Sequence, residues 1–402
     1  MGPDAVRAAA ATLLSAEEAA RRLGVSRATL YAYVSRGLLT AVPDAQDAHA
    51  SRYSSFEIDL LVRRKGRRKG VEHAMAAISE GRPILDTTLS CIHEGQPIYR
   101  DLSALRLADT ATVEDVARLL WQCDPHDPFA APAPALGPRW SAAAGALRRR
   151  PVQERSLMLL AIAQAVLNGP SWLIEPGAQA IAAGEHLRAA VACFLARHPD
   201  ARPLHEQCRR AWRLPPTVAD ALSAALVLAA DHEMNMVAFV GRCLTSVGAP
   251  MAAALLASMC NVQASLNGGD TPRVEALWDE LLADRDLESA VARRLAADNG
   301  LAGFNHLAYP GGDPRAQVLL ELAARFAAPP RTVDVVAKLT GWKPTIAFGF
   351  VALRRAIEAP QGAALTLQMA GRCTGVIAHI LEQRRSGQRI MPRARYVGPL
   401  PA

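Results

Sequence analysis

Apolar positions recur with helical spacing in two short stretches near the start of the chain. Ser15-Ala-Glu-Glu18 is a capping box, in which Ser15 accepts from the Glu18 backbone N–H and the Glu18 carboxylate reaches back. The helix it opens carries Ala19, Ala20 and Leu23 and stops at Gly24; Ser26 opens a second one bearing Leu30, Tyr31 and Tyr33. Two short helices joined by Leu23-Gly24-Val25 form a helix-turn-helix arrangement. Residues 84–105 read as a short β-ribbon, with Leu85–His93, a Glu-Gly turn and Pro97–Arg100. Helical periodicity resumes over Val113–Trp121. Prolines at 125, 128, 132, 134 and 138 make 124–138 a loop or extended linker. From residue 140 onward nearly everything reads as amphipathic helix punctuated by Gly and Pro, with no heptad or short repeat.

Composition changes this picture little. A length of 402 residues is a prior for two or three domains, and 50% apolar with 21% charged residues excludes disorder as a global description. Abundant Ala with only 5% aromatic residues favours helices over sheets. The net charge of +7 matters through its location, because Arg63-Arg-Lys-Gly-Arg-Arg-Lys69 holds six basic residues in seven. Such a run attracts phosphates without reading sequence. The seven Cys show no C-x-x-C pair and read as buried free thiols in a reducing compartment, with no metal site. Met1–Leu14 lacks the apolar stretch of an export signal, and runs such as Ala249–Met259 fall short of the roughly 18 residues a membrane span needs. The expectation is a soluble, cytoplasmic protein with no membrane partner.

The segment from Ser15 to Leu39 resembles the DNA-binding domain of the excisionase and mercury-resistance-regulator type, with Ser51–Glu57 placed where that family's wing ends. The resemblance implies that the helix from Ser26 enters the major groove. Ser26, Arg27, Thr29 and Tyr31 would then lie near base edges or phosphates, with Arg63, Arg64, Lys65, Arg67, Arg68 and Lys69 adding sequence-independent attraction. Duplex DNA is the implied partner.

Farther on, six ordered motifs resemble the citrate synthase family. They are the ribbon with Tyr99-Arg100; Asp231-His-Glu-Met-Asn235; Ser265-Leu-Asn-Gly-Gly269; Gly303-Phe-Asn-His306 followed by Asp313-Pro-Arg-Ala316; Ala370–His379; and Pro392–Gly398. The resemblance implies a mainly α, two-domain helical dimer, preceded here by the small winged helix-turn-helix. The expected domains are 1–70 for the DNA-binding-like module and 71–402 for the body. Within the body a large domain would take about 71–269 and 356–402, and a small one about 270–355.

That family joins an acyl-CoA methyl carbon to the ketone of oxaloacetate, which calls for a base, donors to the developing enol and guanidiniums for two carboxylates. Carried over by position, His232 binds oxaloacetate, His306 polarises its ketone, and Arg315 and Arg372 clamp its carboxylates. The enol-holding histidine is Asn267, the base falls on Ala347 within Pro344-Thr-Ile-Ala-Phe348, and the arginine lent between subunits is Met391. The acids nearest to Ala347 in sequence are Asp334 and Glu358, three helical turns away or more. Losing a general base costs roughly 10²–10⁴ in rate and losing an oxyanion donor on the order of 10²–10³. The dicarboxylate side is therefore retained and the acyl-CoA side degraded. Three readings stay open: a dicarboxylate-sensing DNA-binding pseudoenzyme, an active citrate or 2-methylcitrate synthase with a rearranged site, and a noncatalytic subunit paired with an intact homologue. Met391 counts against the last. No cofactor is expected, and acyl-CoA would enter only as co-substrate.

Overall fold

The computed structural model describes residues 13–36, 38–44, 47, 50–55, 57–58, 84–167, 175–261, 270–297 and 301–392. The chain divides into two compact units, Met1–Asp86 and Thr87–Ala402.

The first unit runs β1 (Leu13–Ser15), α1 (Ala16–Leu23), α2 (Arg27–Ser35), β2 (Ala41–Pro43) and β3 (Ser51–Ser54). Both halves of the capping box form: Ser15 N–H donates to Glu18 Oε2 at 2.9 Å and Glu18 N–H to Ser15 Oγ at 3.3 Å. Gly24 ends α1 in the left-handed region (φ 60°), where a glycine carries no Cβ penalty. Strands β2 and β3 pair antiparallel as the expected wing, and β1 adds to the other side of β3. Ala19, Ala20, Leu23, Leu30, Leu39, Tyr53 and Ile58 form its core. The basic residues 63–69 lie outside the described residues.

The second unit opens with a three-stranded antiparallel sheet, β4 (Ser90–His93), β5 (Gln96–Tyr99) and β6 (Leu102–Ser103). Glu94 and Gly95 both have positive φ, 50° and 74°, and close the β4–β5 hairpin. Helices follow: α3 (Ala104–Thr110), α4 (Val113–Trp121), α5 (Gly137–Leu147), α6 (Val152–Leu167), α7 (Pro176–Leu195), α8 (Leu204–Trp212) and α9 (Ala219–Ala229). After them come α10 (Met236–Ser246), α11 (Met251–Cys260), α12 (Asp270–Ala283), α13 (Leu287–Ala296), α14 (Pro314–Ala323), α15 (Arg331–Thr340), α16 (Ile346–Ala356) and α17 (Ala363–Ser386). The central helix α17 packs against α4, α7, α9, α10, α11 and α16.

Three expectations need correction. Helices α9 and α17 are not amphipathic: they are buried along most of their length, because neighbours surround them and Ala and Gly let those neighbours approach. Pro138 does not extend the loop but sits in the first turn of α5, where its missing N–H is harmless. The cysteines are all free, yet only Cys193, Cys208 and Cys373 are buried; Cys91 faces out from the edge strand β4 and Cys260 ends α11.

Candidate active site

One wall of the site grows from Tyr99 on β5. Its buried hydroxyl donates to Val227 O at 3.0 Å and accepts from Asp231 N–H at 3.2 Å, tying down the end of α9 and the turn that follows. Burial pushes this phenol up to about 12, so it stays a donor. Asp231 accepts from Ser90 Oγ at 2.5 Å and Arg372 Nη1 at 3.2 Å, and its Oδ2 lies 3.3 Å from His379 Nε2. Burial would raise the Asp231 carboxyl, but His379, Arg372 and Ser90 outweigh it and hold the group well below the usual carboxylate range. His379 in turn accepts at Nδ1 from the buried Arg242 Nε at 2.9 Å, which leaves a proton on Nε2, the nitrogen nearest Asp231, although that atom makes no hydrogen bond among the described residues. Gly375 makes this approach feasible: a Cβ there would stand 2.2 Å from Ala230 O and 2.5 Å from Asp231 Oδ1.

The facing wall is the loop from Leu301 to Asp313. It runs beside Lys343–Thr345, with Asn305 N–H donating to Lys343 O at 2.9 Å and Thr345 N–H to Gly303 O at 2.8 Å. This pairing sets His306 beside the start of α16, whose first turn carries Ala347. Asp313 is the hub: it receives Arg315 Nε and Nη2, both at 2.9 Å, the Arg315 N–H at 3.1 Å and the Ile346 N–H at 3.0 Å. Sequence spacing missed this acid at the Ala347 turn, because Asp313 arrives from another segment. Four donors already hold it.

His232, His306 and Tyr309 meet with ring centroids 5.2, 5.3 and 5.7 Å apart, and the Arg315 guanidinium lies 5.0 Å from the Tyr309 ring centroid. His306 Nδ1 accepts from Ala308 N–H at 3.1 Å, leaving the proton of a neutral ring on Nε2. Burial first, then Arg315 and Arg372, push His232 well below its ordinary value, so its imidazole is neutral. Among the described residues, His232 Nε2, Tyr309 OH and Thr345 Oγ1 on this side of the site, and His379 Nε2 in the opposite wall, are buried without a hydrogen-bond partner. Such atoms are costly unless something occupies them. Both arginines are engaged, Arg315 by Asp313 and Arg372 by Asp231, yet a guanidinium has five N–H donors and these pairs leave some over.

The structure thus brings His232, His306, Arg315 and Arg372 together with the Ala347 turn. Ala347 is 3% exposed. Met391 is exposed, and Asn267 lies outside the described residues. Tyr309 and Thr345 were not singled out from sequence; an aromatic three residues past His306 is the only signal the first gives. In the N-terminal unit, Ser26 and Thr29 spend their hydroxyls on each other and on the α2 cap. Arg27 and Tyr31 stand outward, with Arg27 Nη2 donating to the Tyr31 hydroxyl at 3.4 Å.

The citrate synthase C-terminal domain model matches residues 78–393, and a helix-turn-helix domain model matches residues 13–65. Among curated relatives, a putative citrate synthase 2 of Mycobacterium bovis is 34% identical over 198 residues, covering 46% of this chain and 53% of the relative. Citrate synthase 2 of Bacillus subtilis is 27% identical over 194 residues, covering 46% and 52%. The chain spans about half the length of these relatives. Among solved structures, citrate synthase from Thermotoga maritima superposes with a TM-score of 0.63 at 18% identity, covering 80% of this chain and 95% of that one. Citrate synthase from Thermoplasma acidophilum, in ternary complex with carboxymethyl coenzyme A and oxaloacetate, gives 0.63 at 21%, covering 81% and 97%. With its sequence motifs, its helical architecture and a family match over most of its length in agreement, the chain belongs to the citrate synthase family and carries a helix-turn-helix domain at its N-terminus.

Proposed function

We propose that the body binds an oxaloacetate-like C4 dicarboxylate without condensing it, and that the N-terminal module presents this sensor to duplex DNA. The observation that carries the proposal is the buried trio of His232 Nε2, Tyr309 OH and Thr345 Oγ1, without a hydrogen-bond partner among the described residues, set among two guanidiniums and beside a methyl group where a base is needed. The ligand's carboxylates would take the spare N–H groups of Arg315 and Arg372, and its ketone oxygen would take the His306 Nε2 proton. Nothing at Ala347 can then abstract a proton from an acyl-CoA methyl group, and Asp313 is held by its four donors.

The protein would act as a homodimer. Support comes from outward apolar residues on α10, at its C-terminal Val247 and on α11, with Met236 and Val247 47% and 66% exposed and Phe239, Val240 and Leu256 half-buried. A heteromer with an intact homologue is disfavoured, because Met391 has no guanidinium to lend. The test combines a melting curve with oxaloacetate and a duplex-binding assay. A ligand at 100 times its Kd adds about 2.7 kcal/mol to stability. A specific DNA site should be a pseudo-palindrome with half-sites about one helical turn, or a multiple, apart. No melting shift with any C4 or C6 carboxylate at millimolar concentration would refute the sensor. Absence of duplex binding would refute the DNA role.

A further inference from the structure

A second concentration of positive charge lies on the body, far along the chain from the run at 63–69. Helices α5 and α6 are joined by Arg148-Arg149-Arg150, and α7 and α8 by the turn that begins at Arg197. Arg155 staples the two turns together: its Nη1 donates to Arg148 O at 2.9 Å and Arg150 O at 3.3 Å, and its Nη2 to Phe194 O at 3.1 Å. Beside them an open hollow of about 370 Å³ is lined by Arg197, His198, Arg202, Arg210 and Arg213, with Asp200 as its one acid.

Part of this charge is consumed locally. Arg150 pairs with Glu154, Arg202 with Asp200, and Arg209 and Arg210 share Glu206. Arg148, Arg149, Arg197 and Arg213 are exposed and have no carboxylate partner among the described residues. The bland explanation is that arginines gather where helices end, to meet the partial negative charge of their last carbonyls. That task is already done by other side chains, since Arg155 takes Phe194 O at the end of α7 and Arg209 Nη1 takes Leu214 O at 2.7 Å just past α8. Outside this face and the run at 63–69, acidic residues outnumber basic ones. The surplus is therefore local rather than a general property of the surface.

We propose that this face of the body, centred on Arg148, Arg149, Arg197 and Arg213, is a second contact surface for the phosphate backbone of duplex DNA. Exposed guanidiniums on two adjoining turns and at the end of α8 suit an extended polyanion better than one compact anion, and helix C-terminal ends beneath them disfavour a phosphate buried in the hollow. The choice of DNA rests on the DNA-binding role proposed above for the N-terminal unit. The body would bind phosphates regardless of base sequence.

The test uses the full chain and a random-sequence duplex of about 30 base pairs, with affinity measured against salt. Three variants are compared: Arg→Gln at 148, 149, 197 and 213; Arg→Lys at the same four positions; and neutralisation of the basic residues at 63–69. The Gln variant should keep its melting temperature while its salt slope flattens by roughly 0.9 for each phosphate no longer neutralised, or about 2–4 in all. The Lys variant should keep most of the native slope. A Gln variant with native affinity and slope overturns this inference and leaves the N-terminal role standing. If neutralising 63–69 changes nothing while the Gln variant loses binding, this inference holds and the run at 63–69 makes no phosphate contact. Competition by polyglutamate as strong as by duplex at equal charge would make the face a general polyanion surface and overturn its assignment to DNA, as would a native chain that binds no duplex.

Discussion

Restoring a carboxylate at Ala347 is the sharpest test of why the body should not condense its ligand. The position lies in the first turn of α16, where a helix N-terminus favours an anion by about 0.3–1 kcal/mol. Opposing this, Ala347 is 3% exposed and Asp313 already accepts the neighbouring Ile346 N–H, so a new carboxylate meets both burial and a like charge. Ala347→Asp should therefore destabilise the chain by about 1–3 kcal/mol and carry a raised pKa, which suits a base. A general base is worth roughly 10²–10⁴ in rate, or about 2.7–5.4 kcal/mol of barrier at 1.36 kcal/mol per decade. Asn267 and Met391 remain, so full family rates are out of reach. Thiol release from acetyl-CoA with oxaloacetate should be undetectable for the native chain and for Ala347→Asn, and should rise at least about 10²-fold for Ala347→Asp. A native kcat near the typical ~10 s⁻¹ would refute the reasoning outright, since another group would then be the base. Equal rates for the Asp and Asn variants would show that this turn does not face the reacting carbon.

Tyr309→Phe should leave the empty protein as stable or about 1 kcal/mol more stable, because it removes a buried hydroxyl without a partner among the described residues, yet shrink the melting shift given by oxaloacetate; an unchanged shift would place that hydroxyl outside the ligand's reach. Gly375→Ala should cost roughly 1–3 kcal/mol and weaken ligand stabilisation, since its Cβ would collide with Ala230 O and Asp231 Oδ1, and a variant that melts and binds like the native chain would show that this approach does not hold the wall. Acidification should destabilise the chain from about pH 6.5 downward. His186, pushed down to about 4 by burial, and His232, held low by burial and two arginines, stay neutral when folded, while the unfolded chain takes up protons below ~6.5. Each costs up to about 1.4 kcal/mol per pH unit in that window, and His186→Gln should remove one share; denaturation midpoints equal at pH 7 and 5 would contradict both shifts.

Local chemistry was legible in the sequence wherever it is local in space. The Ser15–Glu18 capping box, the Gly24 stop and the Glu94-Gly95 turn are short-range devices, and each forms as its residues dictate. The positions of His232, His306, Arg315 and Arg372 came from motif resemblance, and the fold brings them to one place. What stayed hidden depends on long-range packing. Asp313 reaches the Ala347 turn across 33 positions of sequence. His379 reaches Asp231 only because Gly375 lets α17 close on the turn after α9. Periodicity misled for α9 and α17 because a helix surrounded by protein has no polar face to display, and cysteine count alone could not tell the outward Cys91 from the buried Cys373.

A sensor and an enzyme place opposite demands on the same pocket, and the substitution at 347 separates them. An enzyme's occupancy reflects binding and turnover together, whereas a site that cannot turn its ligand over reports concentration alone. Such a site regulates DNA binding only if the ligand favours one arrangement of the body over another, and each tenfold preference supplies about 1.4 kcal/mol. The geometry suits that requirement. Arg372 hangs from α17 beside Asp231, while Arg315 hangs from α14 behind the loop that carries His306. A ligand whose two carboxylates take one guanidinium each must satisfy both walls at once, so it favours arrangements in which they stand a dicarboxylate's length apart. That loop contains Gly303 and Gly312 at φ of 85° and 110°, and Asn305 at 62°, backbone values that allow sharp changes of direction on either side of His306. Under the proposed role, a monocarboxylate would engage one wall only and give no such preference, so the two-walled site would favour a dicarboxylate effector over a simple organic acid.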